Sequence, residues 1–294
     1  MMIRQFLNYL RYERGFSELT VQNYGKDLRI FESYVKNLDN HLSLKSVDSD
    51  VIRCWMESMM DRGNTATTIC RRLSALRSFY RFAFSRGLVG ANPAYGVRNP
   101  KKGRPLPQFL REEEMDTLLD GDGMWGDDYK SIRARTILAV FYETGIRLSE
   151  LVGLDDSDVS LTGMELKVTG KRNKQRVIPF GPELKRFVSH YIEVRNKSVC
   201  RNTTALFVTE KGVRMNAAQV RYEVKKNISR VSMLKKRTPH VLRHTYATAM
   251  LNHGASIENV KKLLGHKSLG TTEIYTHTTF EQMKRVYNKA LDRA

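Results

Sequence analysis

The chain has 294 residues, enough for two domains or one large one. It carries 50 Lys and Arg against 31 Asp and Glu, and this formal net charge of +19 predicts a polyanionic partner such as nucleic acid. The sequence has no apolar stretch long enough to span a membrane, no apolar signal-peptide core near its first residues, and three scattered cysteines that indicate no disulfide framework. We therefore expect a cytoplasmic protein without a membrane partner.

The first hundred residues are predicted to be entirely helical. Ser17 is placed to cap a helix whose apolar residues recur every three or four positions as far as Val35. Another helix is predicted from about Thr65 to Arg86. Its apolar stripe consists of Ile69, Leu73, Leu76, Tyr80 and Phe84.

A polar sector lies beside this apolar stripe on the helical wheel. It contains Arg71, Ser74, Arg77, Ser78 and Arg81. A polar sector on a single helix is most often a solvated surface. Here it combines arginines with hydroxyls and holds no acid, which favours contacts with phosphates. Arg71, Arg77 and Arg81 are therefore candidate DNA contacts.

The stretch "ANPAYGVRNPKKGRPLPQF" is predicted to be an extended linker, because it holds four of the seven prolines. We place a domain boundary near residue 104. Residues 1–98 then form a helical domain, residues 99–110 a basic linker and residues 111–294 a second domain. Within the linker, Lys101, Lys102 and Arg104 are further candidate DNA contacts.

The second half mixes helices with a few strands. A helix is predicted over 131–144, ended by Gly145. "MELKVTGKRNKQRVIPF" alternates apolar and polar residues around a glycine-containing turn, so it predicts a β-hairpin. Lys171, Arg172 and Lys174 lie at its tip, and the last two are candidate DNA contacts. "TALFV" is predicted to be a short strand, and the chain reads as helical from Gln219 onward.

Several side chains that bind anions or transfer protons stand beside predicted helix breaks. They are Arg147 after Gly145, Lys171 at the hairpin tip, His240 and Arg243 in one helix, His266 after the expected cap Gly265, and Tyr275 nine residues later. Each residue alone is weak evidence for a functional site, because single residues of these types are usually structural. The helix from Pro239 nevertheless starts with several cationic groups, although cations are normally favoured at a helix C-terminus.

A zinc site is one explanation of the histidines. His240 and His244 have the spacing of zinc ligands on a helix, and His266 would complete the set. However, no carboxylate or cysteine lies near them in sequence, and Arg243 projects from the same face. A phosphodiester fits better, because Arg147 and Arg243 would each donate two hydrogen bonds to its oxygens. The helix N-terminus would add its dipole and its free N–H groups.

Four segments resemble the tyrosine recombinase family, and most closely its Xer branch. They are "YETGIRLSELVGL", "TGKRNKQRVIPF", "TPHVLRHTYATAML" and "LLGHKSLGTTEIYTH". The family's order of active-site residues is Arg, Lys, His, Arg, His and Tyr, which places Arg147, Lys171, His240, Arg243, His266 and Tyr275 in the site. The resemblance covers nearly the whole chain. It implies a mainly α fold with a small β-hairpin or sheet, in which a helical core-binding domain and a mostly helical catalytic domain form a clamp around DNA.

The resemblance also implies a mechanism. Tyr275 would attack a DNA phosphate and form a 3′-phosphotyrosine, with His240 accepting its proton and Lys171 protonating the leaving 5′-oxygen. The two arginines and His266 would stabilise the transition state. The covalent bond keeps the phosphodiester energy, so neither a metal nor ATP is expected as a cofactor.

Four functions remain open at this point. They are Xer-type resolution of chromosome or plasmid multimers, a mobile-element integrase or DNA invertase, a type IB topoisomerase, and an architectural DNA-binding protein without activity. The core-binding helices begin almost at once, which favours the Xer-like layout, and the complete catalytic set disfavours the inactive protein.

The resemblance implies partners as well. The expected partners are double-stranded DNA, a homo- or hetero-tetramer on two paired sites, a second Xer-type recombinase and a DNA translocase. Residues 280–294 are predicted to form an amphipathic helix, which docks either on its own domain or, as the resemblance implies, on a neighbouring subunit.

Overall fold

The computed structural model describes residues 1–101, 103, 108–170 and 173–265. The chain divides into two compact units, Met1–Pro105 and Leu106–Ala294, and each has its own hydrophobic core. The predicted C-terminal docking helix lies outside the described residues.

None of the helices in the described part of the chain has the length and apolar character needed to cross a membrane.

The first unit is helical, as predicted. Its helices are α1 (Met2–Asn8), which continues as a π-helical turn (Tyr9–Glu13), α2 (Glu18–Leu38), α3 (Ser49–Asp61) and α4 (Ala66–Ser85). Side chains close the N-termini of three of them. The Ser17 hydroxyl accepts from the Thr20 N–H, the Thr65 hydroxyl from the Thr68 N–H, and the Asp48 carboxylate from two N–H groups of α3.

The apolar stripe of α4 is buried except at its last residue. Ile69, Leu73, Leu76 and Tyr80 are at most 1% exposed, whereas Phe84 is 54% exposed. Assigning Phe84 to the core was therefore wrong. Its place is taken by Phe82, whose ring packs on Phe6 and Tyr9 of the N-terminal helical segment. Steps of three and four residues do not match the helical period of 3.6 residues, so the stripe rotates slowly around the helix. Here it has turned away from the core within five turns.

The second unit is mostly helical with one small sheet. Its elements are α5 (Glu112–Asp120), α6 (Tyr129–Thr144), α7 (Leu148–Gly153), β1 (Val159–Ser160), β2 (Glu165–Thr169), β3 (Gln175–Pro179), α8 (Pro182–Ser198), α9 (Ala217–Val231), α10 (Pro239–Asn252) and α11 (Ile257–Leu264). Helix α6 is the predicted helix over 131–144. It is the centre of the unit, because it packs on α8 and α10 and is buried almost all round. Gly145 ends it in a left-handed conformation, with a φ of 57°.

The sheet is antiparallel, in the order β1–β2–β3. The predicted hairpin is present, with Leu166 opposite Ile178 and Thr169 opposite Gln175. Lys174 is exposed at its tip, whereas Lys171 and Arg172 lie outside the described residues. Strand β1 was not predicted, because two residues are too few to show an alternating pattern. The fold class is thus mainly α with a small sheet, as expected.

The predicted strand "TALFV" is wrong. The segment forms only isolated bridges, from Ala205 to Asp155 and from Val208 to Arg214. Side chains occupy its Leu206 and Val208 carbonyl groups instead. The Leu206 carbonyl accepts from Arg195 Nη1 at 2.8 Å, and the Val208 carbonyl accepts from the Tyr129 hydroxyl at 2.8 Å and from Arg133. A continuous ladder cannot form where these acceptors are already used.

Candidate active site

The candidate site forms where the ends of four helices of the second unit meet. These are the turn from α6 to α7, the start of α10 and the end of α11. Gly145 makes the first of them possible. A Cβ atom at this position would lie 2.4 Å from Tyr246 Cδ1 and 2.8 Å from Leu264 Cδ2, and the backbone is already left-handed. Glycine alone fits this position without strain, and it brings the α6–α7 turn against α10 and α11.

Arg243 is buried beneath this junction and is only 7% exposed. Its Nη1 donates to the Gly145 carbonyl at 2.5 Å and its Nη2 donates to the Leu264 carbonyl at 2.6 Å. Burial, followed by the positive charge of Arg147, lowers the pKa of Arg243 to about 10. The guanidinium remains charged at neutral pH and is fixed in direction by two backbone acceptors.

Arg147 is the N-cap residue of α7 and is about one-third exposed. Its Nη1 donates to Glu150 Oε1 at 2.7 Å, and its Nη2 donates to the Gly265 carbonyl at 2.8 Å. Its backbone N–H donates to Glu150 Oε2 at 2.8 Å. The backbone and the guanidinium of Arg147 are therefore both held by hydrogen bonds, while part of the guanidinium faces solvent.

Glu150 and Arg176 belong to the site but were not predicted. The two side chains form a bidentate pair, with Nη1–Oε1 at 2.8 Å and Nη2–Oε2 at 2.9 Å. Burial of Glu150 raises its pKa, but the hydrogen bonds and charges of Arg176 and Arg147 outweigh burial and bring the pKa down to about 2. A usable signal was the Arg-x-x-Glu spacing of Arg147 and Glu150 at a helix start. No comparable sequence pattern marks Arg176.

The C-terminal end of α11 gathers the three arginines. The carbonyls of Leu263, Leu264 and Gly265 accept from Arg176, Arg243 and Arg147 respectively. Gly265 caps the helix in the left-handed conformation, as predicted. The C-terminus of a helix attracts cations, so this end stabilises the cluster. Within the described part of the chain, Arg147 and Arg176 form ion pairs with one carboxylate, Glu150, and the cluster keeps an excess positive charge that an anion would balance.

His240 lies in the first turn of α10 and is partly exposed to solvent. Partial burial and the positive fields of His244, Arg243 and Arg147 lower the pKa of its imidazole. His240 is therefore neutral near pH 7 and can accept a proton. Among the described residues, no side chain caps this helix N-terminus.

Several predicted site residues lie outside the described residues. They are Lys171, His266 and Tyr275 of the catalytic set, and Lys102, Arg104 and Arg172 of the DNA-contact set. Their roles stay predictions. Over the ranges that are described, no group of three or more His, Cys, Asp or Glu side chains is arranged to hold a metal ion.

The described DNA-contact candidates differ in their surroundings. Arg71 forms an ion pair with the buried carboxylate of Asp27 on α2, and Arg77 donates to the Val97 carbonyl and, at 3.0 Å, to Asn99 Oδ1. Arg81, Lys101 and Lys174 are exposed. Asp27 of α2 thus lies against the polar sector of α4. The helical wheel of α4 alone could not show this acidic neighbour. DNA contact remains a prediction for all of these residues.

Comparison with known proteins places these observations in a family context. Residues 108–282 match the phage integrase family, and residues 3–87 match the phage integrase N-terminal SAM-like domain. Tyrosine recombinase XerC of Chlorobaculum tepidum is 36% identical over 315 residues, covering 99% of this chain and 94% of the relative. Tyrosine recombinase XerC of Staphylococcus carnosus is 38% identical over 296 residues, covering 98% and 96%.

A solved structure shares the fold. It is the XerH site-specific recombinase bound to a palindromic difH substrate in a post-cleavage complex. The similarity has a TM-score of 0.74 at 21% identity, and it covers 97% of this chain and 80% of that chain.

Proposed function

The chain belongs to the phage integrase family and is a site-specific tyrosine recombinase of the Xer type, and from that premise we propose that it binds double-stranded DNA and resolves chromosome or plasmid multimers. The observation that carries the proposal is the cluster of Arg147, Arg176 and Arg243. These three guanidiniums donate to backbone carbonyls, and among the described residues one carboxylate, Glu150, offsets part of their charge. Such a cluster suits a phosphodiester, whose negative charge increases in the transition state.

We assign the domains accordingly. Residues 1–98 are the core-binding domain, residues 99–110 the basic linker, and residues 111–294 the catalytic domain. The protein acts in the cytoplasm as a homo- or hetero-tetramer on two paired DNA sites. A second Xer-type recombinase and a DNA translocase are its further partners.

In the proposed reaction the Tyr275 oxygen attacks the scissile phosphorus. The bond from phosphorus to the 5′-oxygen breaks, and a 3′-phosphotyrosine and a free 5′-hydroxyl result. A free phenol has a pKa of roughly 10, so it needs a proton acceptor near pH 7. The lowered pKa of His240 suits this task, because the imidazole is neutral before the reaction.

Lys171 supplies the proton that the leaving 5′-oxygen needs. Rejoining reverses these steps when the 5′-hydroxyl of another strand attacks the phosphotyrosine. One phosphoester replaces another in each direction, so the energy of the bond is retained and no ATP is consumed. The reaction as written uses no metal ion.

Arg147, Arg243 and His266 stabilise the pentacovalent transition state in this proposal. Arg147 and Arg243 each donate hydrogen bonds to backbone carbonyls, so their guanidiniums are directed before DNA arrives. Donors that need no reorganisation during the reaction give the largest electrostatic benefit.

A suicide substrate tests the nucleophile. The duplex carries a target selected from random sequences by the full chain, with a nick placed so that the cleaved fragment diffuses away. The wild type is expected to form a covalent protein–DNA adduct that survives denaturation, and Tyr275→Phe is expected to form none, because it lacks the attacking oxygen. Tyr12→Phe is the matched control, since Tyr12 is 77% exposed in the first unit. An adduct in Tyr275→Phe would mean that another residue is the nucleophile.

A further inference from the structure

We propose that Arg176 is a positioning residue for strand cleavage, which acts by limiting how Arg147 can bind Glu150. The inference rests on the proposed function, since it concerns the same phosphate site. Arg176 lies on β3, yet its guanidinium reaches two other elements. It pairs with Glu150 on α7, and its Nε donates to the Leu263 carbonyl at the end of α11 at 3.0 Å.

The carboxylate of Glu150 is nearly saturated. It is 1% exposed and accepts four hydrogen bonds from the described residues. Oε1 accepts from Nη1 of both arginines, and Oε2 accepts from Arg176 Nη2 and from the backbone N–H of Arg147. A carboxylate offers about four acceptor positions, so none is left for a second side-chain bond from Arg147.

This arrangement determines where the Arg147 guanidinium points. Arginine and carboxylate prefer the bidentate fork. Arg176 already forms this bidentate pair with Glu150, so Arg147 is restricted to one side-chain hydrogen bond with the same carboxylate. The Nη2 atom of Arg147 donates instead to the Gly265 carbonyl at 2.8 Å. Without Arg176, Arg147 would be free to form the bidentate pair itself. It would then turn toward Glu150, and fewer of its N–H groups would face the phosphate.

The guanidinium of Arg176 is also fixed in its plane. A Cβ atom on Gly265 would lie 3.2 Å from Nη1, 3.3 Å from Cζ and 3.4 Å from Nε of Arg176. The guanidinium therefore packs directly against Gly265. A lysine in this place would keep the positive charge, but it has neither the fork nor a flat group to fill this space.

The test compares two lysine substitutions in the full chain, Arg176→Lys and Arg195→Lys. Arg195 is a close match, because it forms a bidentate pair with Asp156 at 2.7 and 3.1 Å and donates to the Leu206 carbonyl at 2.8 Å. Its hydrogen bonds do not involve the site. Both variants are expected to melt at a lower temperature than the wild type. Their cleavage rates are measured below those melting temperatures, with the suicide duplex described above and saturating protein.

We expect Arg176→Lys to cleave about 10- to 100-fold more slowly than the wild type, because a small misplacement of a catalytic group is enough for such a loss. Its affinity for a single half-site should change less than about threefold, a range we set well below one tenfold step in affinity. Arg195→Lys should cleave at the wild-type rate. Arg176→Gln, which has no charge, is the second variant if Arg176→Lys does not fold. A wild-type rate in a folded Arg176 variant, or an equal loss in Arg195→Lys, would overturn the inference.

A second substrate distinguishes a role of Arg176 in positioning Arg147 from a role in proton donation to the leaving group. In a duplex with sulfur at the bridging 5′-position, the leaving thiolate needs no proton. The defect of Arg176→Lys should persist on this substrate, because Arg147 stabilises the phosphate and not the leaving group. Restoration of the rate by sulfur would instead assign Arg176 to proton donation from the hairpin, and the inference would be wrong. Failure of the wild type to form any adduct would overturn the proposed function, and this inference with it.

Discussion

The protonation state of His240 connects a single side chain to the pH range of the reaction. Its pKa lies below the ordinary value of about 6.5, because partial burial and the charges of His244, Arg243 and Arg147 disfavour the imidazolium. At pH 7 the neutral form dominates and can accept the proton of Tyr275. Protonation below the lowered pKa removes that capacity. The fold loses stability as the pH falls from about 6.5 to the lowered pKa, since the unfolded chain binds the proton first over that window.

The single-turnover cleavage rate should therefore fall about tenfold per pH unit on the acid side of the His240 pKa. This fall in rate is the acid limb of the pH profile. His240→Gln should cleave slowly and lose the acid limb, whereas His41→Gln in the first unit should keep it. A bound phosphate favours the imidazolium, so the limb should lie at higher pH in the DNA complex than the pKa measured by NMR in the free protein. An unchanged acid limb in His240→Gln would assign the proton transfer to another group.

Sequence reasoning at the scale of residues could find only side chains that stand out locally. Arg147, His240 and Arg243 stand out because they adjoin helix breaks, and the family motif then groups them. Glu150 and Arg176 are 26 positions apart, and each on its own looks like half of an ordinary surface ion pair. Their pairing depends on where the fold places β3 relative to α7, which no local pattern encodes.

At the scale of elements, the end of α6 shows how one backbone position supports the site. The Gly145 carbonyl accepts from Arg243, and its Cα faces Tyr246 and Leu264 at distances that leave no room for a side chain. The cost of a left-handed conformation for alanine is about 1 kcal/mol, and a steric clash in a packed core adds roughly 1–3 kcal/mol.

Gly145→Ala is therefore expected to lower the free energy of unfolding by about 2–4 kcal/mol, as measured by urea denaturation. Gly254→Ala is the control from the same unit. Gly254 has a φ of 83° and nothing within 4 Å of its hypothetical Cβ, so only the conformational cost of about 1 kcal/mol applies. Equal losses in the two variants would show that the junction tolerates a methyl group.

The strength of the local signal in each element decides whether the sequence could predict it. Helix α6 and the β2–β3 hairpin have strong local signals, namely a Gly145 stop and an alternating pattern on both sides of a turn. "TALFV" has the composition of a strand, but two of its carbonyls accept hydrogen bonds from Arg195, Arg133 and Tyr129, which lie in distant parts of the chain. Phe84 shows the related error for a helix, since the side chain that is buried depends on what the neighbouring helix offers.

At the scale of the whole molecule, the positive charge is shared between the two units. Residues 1–105 hold 18 Lys and Arg against nine Asp and Glu, and residues 106–294 hold 32 against 22. Net charges of +9 and +10 on two compact units predict that both would contribute to the proposed DNA binding. Two modest binders joined by a linker bind more tightly than either alone, because the second contact becomes intramolecular.

Cutting the connection should therefore weaken binding without unfolding either unit, since each has its own core. A protease recognition sequence inserted after Gly103 allows the test on the full chain. After cleavage, affinity for a selected duplex is expected to fall about 100-fold or more, and the dependence of log affinity on log salt should become shallower for each fragment than for the intact chain. The uncut insertion variant controls for the insertion, and circular dichroism confirms that both fragments remain folded. If the cleaved protein keeps the full affinity and salt dependence, one unit alone supplies the phosphate contacts, and the charge on the other serves a different purpose.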